Sequence, residues 1–235
     1  MILLDWEKAF DKTDHTRLVE ALTRLGIPPD LLNLIKTIYS NPHFRVTLSD
    51  HSSTFRPQNS GIRQGCPLSP YLFVLVMTTM FRDIRSRLNT PAQLSPIKGV
   101  HFAEVLYADD TLLFGTHTQS INKLLKEIQI ESKYYNLSLN YNKCVNLTLN
   151  QKQTSVKFQD GSFVPRKEAA TYLGTMLNDT NNNRMETSNR MVDATTTANK
   201  LKLFWNKANT TLEWKLQVYN SVIRSKLLYG LECIH

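Results

Sequence analysis

Asp109 and Asp110 stand side by side between two apolar runs, Val105-Leu106 and Leu112-Leu113-Phe114. The pattern predicts a β-hairpin with two like charges at its tip. Folding gains nothing from that pairing. A hard divalent cation such as Mg²⁺ would remove the repulsion and keep coordination sites open for phosphate. Asp5 closes another apolar run, Ile2-Leu3-Leu4, that reads as a buried strand. If the two strands share a sheet, three carboxylates could hold two Mg²⁺ ions roughly 3.5–4 Å apart, the arrangement for in-line phosphoryl transfer. Taken singly, each acid reads rather as an ordinary turn or strand-end aspartate.

A second segment, Gly61-Ile62-Arg63-Gln64-Gly65-Cys66-Pro67-Leu68-Ser69-Pro70, has two glycines that let backbone approach a ligand closely. Arg63 and Gln64 offer polar contacts beside them. Ser69 reads as the cap of a helix with Pro70 at its first position, so a positive dipole end faces the same loop. By composition alone, this is also what an ordinary loop and helix cap look like.

These residues need a frame. A helix is expected from Asp14, with Leu18, Leu22 and Leu25 on one face and Gly26 past its end. Pro28-Pro29-Asp30 restarts a helix that Asn41-Pro42 stops. Phe44, Val46 and Leu48 alternate with polar residues, predicting a strand whose turn is His51 to Thr54. The helix from Ser69 is apolar to Met80 and then charged, so its first half should be buried. Ile121, Leu124, Leu125 and Ile128 mark another amphipathic helix. Cys144 to Leu149 reads as a strand, Asp160-Gly161 as a hairpin turn, and Tyr172-Leu173 as part of a strand. After the polar run Asn178 to Arg184 the strand signals stop, and helices are expected over about 185–208 and 212–231. The order describes an α+β protein, an antiparallel sheet with helices on one face.

The length of 235 residues is enough for a core without disulfides. Cys66, Cys144 and Cys233 are widely spaced, with no zinc-ligand spacing and no disulfide framework, which points to a reducing compartment. His101 and His117 are isolated and read as surface residues. A net charge of +8 favours a polyanionic partner such as nucleic acid, though many basic proteins bind none. The start has no basic, apolar leader, and the apolar run Tyr71 to Met77 is too short to span a bilayer. Opening directly on a core strand reads as an internal piece of a longer protein.

Leu4-Asp5-Trp6-Glu7-Lys8-Ala9-Phe10-Asp11 resembles polymerase motif A of reverse transcriptases. Gly61 to Pro70 resembles their motif B and Tyr107-Ala108-Asp109-Asp110 their motif C. Leu139-Asn140-Tyr141-Asn142-Lys143-Cys144 resembles motif D, and Tyr172-Leu173-Gly174 motif E, the primer grip. The wording of motif B resembles non-LTR, LINE-type retrotransposons more than retroviruses or maturases. The motifs run in the family's order from residue 2 to about 176.

The resemblance implies a right-hand polymerase: a ferredoxin-like palm over 1–180 and a helical thumb over 181–235, with the fingers absent. It implies RNA-directed DNA synthesis with two Mg²⁺ ions (or Mn²⁺), an RNA template, a DNA primer or target, dNTPs and no membrane, in the nucleus or cytoplasm. Asp5, Asp109, Asp110 and the Trp6 carbonyl would be the metal ligands. Phe10 would be the gate that excludes a ribose 2′-hydroxyl, although it reads equally as a core aromatic. Gln64, with Arg63 and Gly65, would line the nucleotide pocket, and Tyr107 would flank the primer end. Lys143 is a candidate general acid for pyrophosphate departure, or a solvated lysine. Lys200, Lys202, Lys207 and Lys215 among Leu201, Leu203, Phe204, Trp205 and Trp214 could follow a phosphate backbone or form a plain amphipathic helix pair. The alternative to an enzyme is an incompetent remnant or nucleic-acid-binding module.

Overall fold

The computed structural model describes residues 1–88, 103–149, 155–180 and 183–231. His101 and Cys233 lie outside them, as does part of the polar run 178–184. The chain divides into two compact units, Met1–Thr148 with Gln153–Lys167, and Leu149–Lys152 with Glu168–His235.

The first unit opens on β1 (Ile2–Leu4), buried along its length. Lys8, in left-handed backbone, turns the chain into the single-turn helix α1 (Ala9–Lys12). Helix α2 (His15–Arg24) starts where its cap predicts: the Asp14 carboxylate accepts from the Arg17 N–H at 2.9 Å and satisfies an otherwise orphan donor. Leu18, Ala21 and Leu22 are its buried stripe. Gly26 follows with φ +75, the left-handed exit that glycine adopts without cost. Helix α3 (Pro29–Tyr39) has its proline at the first position, where the missing N–H is no loss.

The next segment departs from expectation. The single strand expected over 44–48 is instead an arm of four two-residue strands: β2 (His43–Phe44), β3 (Thr47–Leu48), β4 (His51–Ser52) and β5 (Arg56–Pro57). β3 pairs with β4 and β2 with β5, so the turn falls at Ser49-Asp50. The apolar residues that suggested a buried face, Phe44, Val46 and Leu48, are all exposed.

Helix α4 (Ser69–Leu88) includes Ser69 rather than being capped by it. Burial follows a stripe and not the first half alone. Tyr71 and Val74 face solvent, while Phe81, Ile84 and Leu88 are buried beyond the point where charges begin. A hairpin follows, β6 (Glu104–Tyr107) and β7 (Asp110–Leu113), then α5 (Thr118–Tyr134) and β8 (Val145–Asn146). The strand expected over 144–149 is reduced to β8. The Asp160-Gly161 turn forms as expected, Phe158 N–H reaching the Ser162 carbonyl. The sheet is antiparallel with order β6-β7-β1-β8.

The second unit begins with the hairpin β9 (Ala169–Tyr172) and β10 (Thr175–Asn178). Leu173 and Gly174 are its two-residue loop, both at positive φ, matching the twist of the flanking strands. The described residues then form the helices α6 (Asn183–Lys200), α7 (Lys202–Lys207), α8 (Leu212–Val218) and α9 (Ser225–Leu228). A π-helical turn, Tyr219–Arg224, joins the last two. The first expected helix is thus split near Leu201. The hairpin is bonded to α6, in the same compact unit: the Met176 N–H donates to the Glu186 carboxylate at 2.9 Å.

Candidate functional site

The register of the sheet brings the acids to one end. β1 runs antiparallel to β7 with Leu4 opposite Thr111, so Asp5, leaving β1, comes to the end where Asp110 enters β7. Tyr107 pairs with Asp110 across the β6–β7 hairpin, which leaves Ala108-Asp109 as its tight loop. Ala108 has φ +52, as a two-residue hairpin loop requires. Beneath the acids, Trp6 is buried and donates from its indole Nε1 to Thr111 Oγ1 at 3.0 Å, tying the exit of β1 to β7.

A further segment holds that exit in place. The Asp5 carbonyl accepts from Asn140 N–H and the Ser138 carbonyl from Glu7 N–H, each at 2.8 Å, and Trp6 bridges Leu139. Lys143 and Cys144 fold back through their N–H groups onto the Asn140 carbonyl. This turn carries the Lys143 ammonium to 4.0 Å from Asp5 Oδ2, on the solvent side. Cys144 below it is buried, which pushes its thiol up to about 11.

Electrostatics link the three carboxyls. Asp110 is pushed above the ordinary carboxylate range, first because surrounding protein displaces its water, then by the negative charges of Asp109 and Asp5. No set of three or more acidic, histidine or cysteine side chains is gathered for a metal ion among the described residues. The donor chemistry nevertheless suits one. It consists of hard carboxylate oxygens at a wet sheet end, with mutual repulsion that a divalent cation would relieve.

The Gly61 loop lies directly against residues 10–13. Ile62 N–H donates to the Phe10 carbonyl at 2.6 Å, Gly61 N–H to Thr13 at 2.8 Å, and Ser60 Oγ to Asp11 at 3.1 Å. A Cβ at Gly61 would stand 2.6 Å from the Asp11 carbonyl oxygen, so the approach needs glycine. His15 Nε2 and Gln58 Nε2 both meet the Gly61 carbonyl, at 2.7 and 3.0 Å. Arg63, Gln64 and Gly65 are exposed beyond this frame, and Gln64 Nε2 donates to Asp11 Oδ1 at 3.1 Å.

Phe10 is half-buried and stacks on Phe73 of α4, with ring centroids 4.8 Å apart. Its two sequence readings are compatible: one face of the ring packs on the core while the residue keeps an exposed part. Cys66 is half-buried, its thiol held below the usual range chiefly by the Leu68 N–H. Tyr107 is exposed. His117 precedes α5 without a side-chain cap bond.

Sequence reasoning gave no role to Asp11, His15 or Thr111. Asp11 meets Gln64 across 53 residues and His15 meets Gly61 across 46, separations that no local pattern encodes. In the second unit, the Leu173-Gly174 loop after Tyr172 is held through its carbonyls. Tyr229 Oη donates to Leu173 at 2.7 Å, and Arg190 Nη2 donates to Gly174.

The arrangement is that of a reverse transcriptase fold. Telomerase from Candida tropicalis, truncated from its C-terminal domain, superposes with a TM-score of 0.54 at 14% identity, over 75% of this chain and 33% of that one. The reverse transcriptase (RNA-dependent DNA polymerase) family matches residues 1–177, and the chain belongs to it. Its curated relatives include the RNA-directed DNA polymerase from mobile element jockey of Drosophila melanogaster, 26% identical over 97% of this chain. They also include the Pol polyprotein of the type-1 retrotransposable element R2 of Nasonia vitripennis, 28% identical over 73% of it. The LINE-type resemblance is thereby borne out. The chain spans 25% of the first relative and 17% of the second. No described helix is long and apolar enough to cross a membrane.

Proposed function

We propose that the chain is the palm and thumb of an RNA-directed DNA polymerase of a LINE-type element. It would add dNTPs to the 3′-hydroxyl of a DNA primer on an RNA template, with residues 1–180 as palm and 181–235 as thumb. The observation that carries this reading is the register that brings Asp5, Asp109 and Asp110 to one end of the sheet, Leu4 opposite Thr111 and Tyr107 opposite Asp110. These carboxylates, with the Trp6 carbonyl, would hold the metal ions. Two bound Mg²⁺ ions, or Mn²⁺, would supply activation of the primer hydroxyl and neutralisation of the departing pyrophosphate. Asp5 at the exit of β1 and Asp109 in the tight β6–β7 loop would orient that charge from a hydrogen-bonded frame, so little reorganisation would accompany the reaction.

The other roles belong to the loops around these strands. Arg63, Gln64 and Gly65 bind and orient the nucleotide. The Phe10 ring, backed by Phe73, excludes a 2′-hydroxyl from the sugar site. Lys143 Nζ, beside Asp5, gives its proton to a leaving pyrophosphate oxygen. The Leu173-Gly174 loop meets the primer, and the thumb lysines follow the nucleic-acid backbone.

Primer extension on an RNA template with Mg²⁺ tests the reading. The chain extends the primer, and Asp5→Ala or Asp109→Ala loses about 10²–10³-fold, the scale for removing one preorganised electrostatic group. Retained Mg²⁺-dependent extension in either variant rejects the metal assignment. Salt-sensitive binding without extension by the wild-type chain supports the incompetent remnant instead.

A further inference from the structure

We infer that Asp11 is a positioning residue of the nucleotide pocket: its carboxylate decides which end of the Gln64 side-chain amide faces the incoming nucleotide. The inference rests on the reading of residues 61–70 as that pocket. The contact itself is the Gln64 Nε2 to Asp11 Oδ1 hydrogen bond of 3.1 Å.

The two ends of a glutamine amide have nearly the same shape and opposite polarity. Turning the group over exchanges a donor for an acceptor at little steric cost. An ionised carboxylate can only accept, so the end facing Asp11 must be the NH₂. Oε1 is then directed away from Asp11 and is presented as an acceptor. The group it can meet on a nucleotide is a donor, a sugar hydroxyl or a base N–H. With no partner at position 11, Gln64 would present either polarity.

An exposed hydrogen bond alone would be weak grounds for this role. Here both residues sit on a frame that fixes their separation. α1 is bonded to the loop through Phe10, Asp11 and Thr13, and the loop's Gly61 carbonyl is held again by His15 and Gln58. Phe10, next to Asp11, is stacked on Phe73, so α1 cannot turn without unstacking it. Gly61 has no side chain and fits against the Asp11 carbonyl, where a Cβ would collide. The carboxylate and the amide therefore meet because the backbone holds them together. The gate at Phe10 and the amide at Gln64 belong to one body, with Asp11 as the link.

The test measures equilibrium binding of a dNTP with Mg²⁺ to the full 235-residue chain, together with the side-chain amide NMR signals of Gln64. Asp11→Asn is nearly isosteric, so it keeps the packing but can face Gln64 with either polarity. It weakens dNTP binding about five- to ten-fold, the scale for losing one well-placed polar contact, and shifts the Gln64 amide signals. Asp11→Glu restores part of the binding, and Asp11→Ala adds nothing in a Gln64→Ala background. A merely structural role predicts a lower melting temperature with unchanged dNTP affinity in the folded fraction. Wild-type affinity in Asp11→Asn, unmoved Gln64 amide signals, or multiplying effects of the two alanine changes would each overturn the inference alone. A wild-type chain that binds no dNTP overturns the pocket reading and this inference with it.

Discussion

The two units of the molecule are held together by different means. In the first, α4 supplies Leu72, Phe73, Val76, Met77, Met80, Phe81 and Ile84, none more than 1% exposed, to a core shared with α2, α5 and β1. The acids and the Gly61 loop stand on the rim of that core. In the second, the described helices bury Glu186, Ala194 and Ile223, whereas Leu203, Leu212 and Trp214 face solvent. What fixes its hairpin is polar. Glu186 takes the Met176 N–H and the Arg190 guanidinium, Arg190 reaches the Gly174 carbonyl and lies over the Tyr229 ring, and Tyr229 reaches Leu173. Apolar burial is non-directional and gives a stiff base for chemistry. Hydrogen bonds to particular carbonyls give direction to one loop at modest net stability.

Breaking each kind of support sharpens this contrast. The largest effect is expected from Phe73→Ala, which opens a cavity under Phe10 and costs the first unit about 3–5 kcal/mol. Denaturant titration should show it, with the exchange protection of the Met176 amide retained. Glu186→Gln removes the charge from a pair whose side chains are 6% and 12% exposed. It costs about 1.5–3 kcal/mol, read as faster hydrogen exchange at Met176 with the amides of β1 unchanged. Equal loosening of both units by either variant would dissolve the distinction.

The smallest effect, and the one with opposite sign, is Asp110→Asn. Because Asp110 is pushed up in the folded chain, the fold binds its proton more tightly than the unfolded chain does. Its stability contribution is therefore gained as pH falls through the raised value and lost above it. At neutral pH the neutral amide removes a charge that is desolvated and repelled by its neighbours, so the melting temperature rises slightly. Mg²⁺ should stabilise the wild type more than this variant in thermal melts. A lower melting temperature for Asp110→Asn would contradict the charge coupling.

How much was legible in the sequence follows the same physical divide. Asp5, Asp109, Asp110 and the Gly61 loop could be read because short contiguous runs carry them. The start of α2 could be read because Asp14 caps it locally. The arm over 43–57 misled because Phe44, Val46 and Leu48 have the alternation of a half-buried strand, yet each pairs only within a short ribbon facing water. The Glu186–Arg190 pair has the spacing of a surface i,i+4 pair, and nothing local marks it as buried. Asp11 stood in plain view in the sequence, but Gln64 lies 53 residues along the chain, so their contact needed the folded frame.

The Leu173-Gly174 loop has a consequence for how the chain could be improved as a folded object. Leucine in left-handed backbone, φ +48, carries roughly 1–2 kcal/mol that asparagine or glycine would largely avoid. The Tyr229 bond to the Leu173 carbonyl and the Arg190 bond to Gly174 hold the loop despite that cost. A stability screen of this hairpin should therefore select replacements of Leu173 first. The leucine at the tip is a residue that folding alone would not choose.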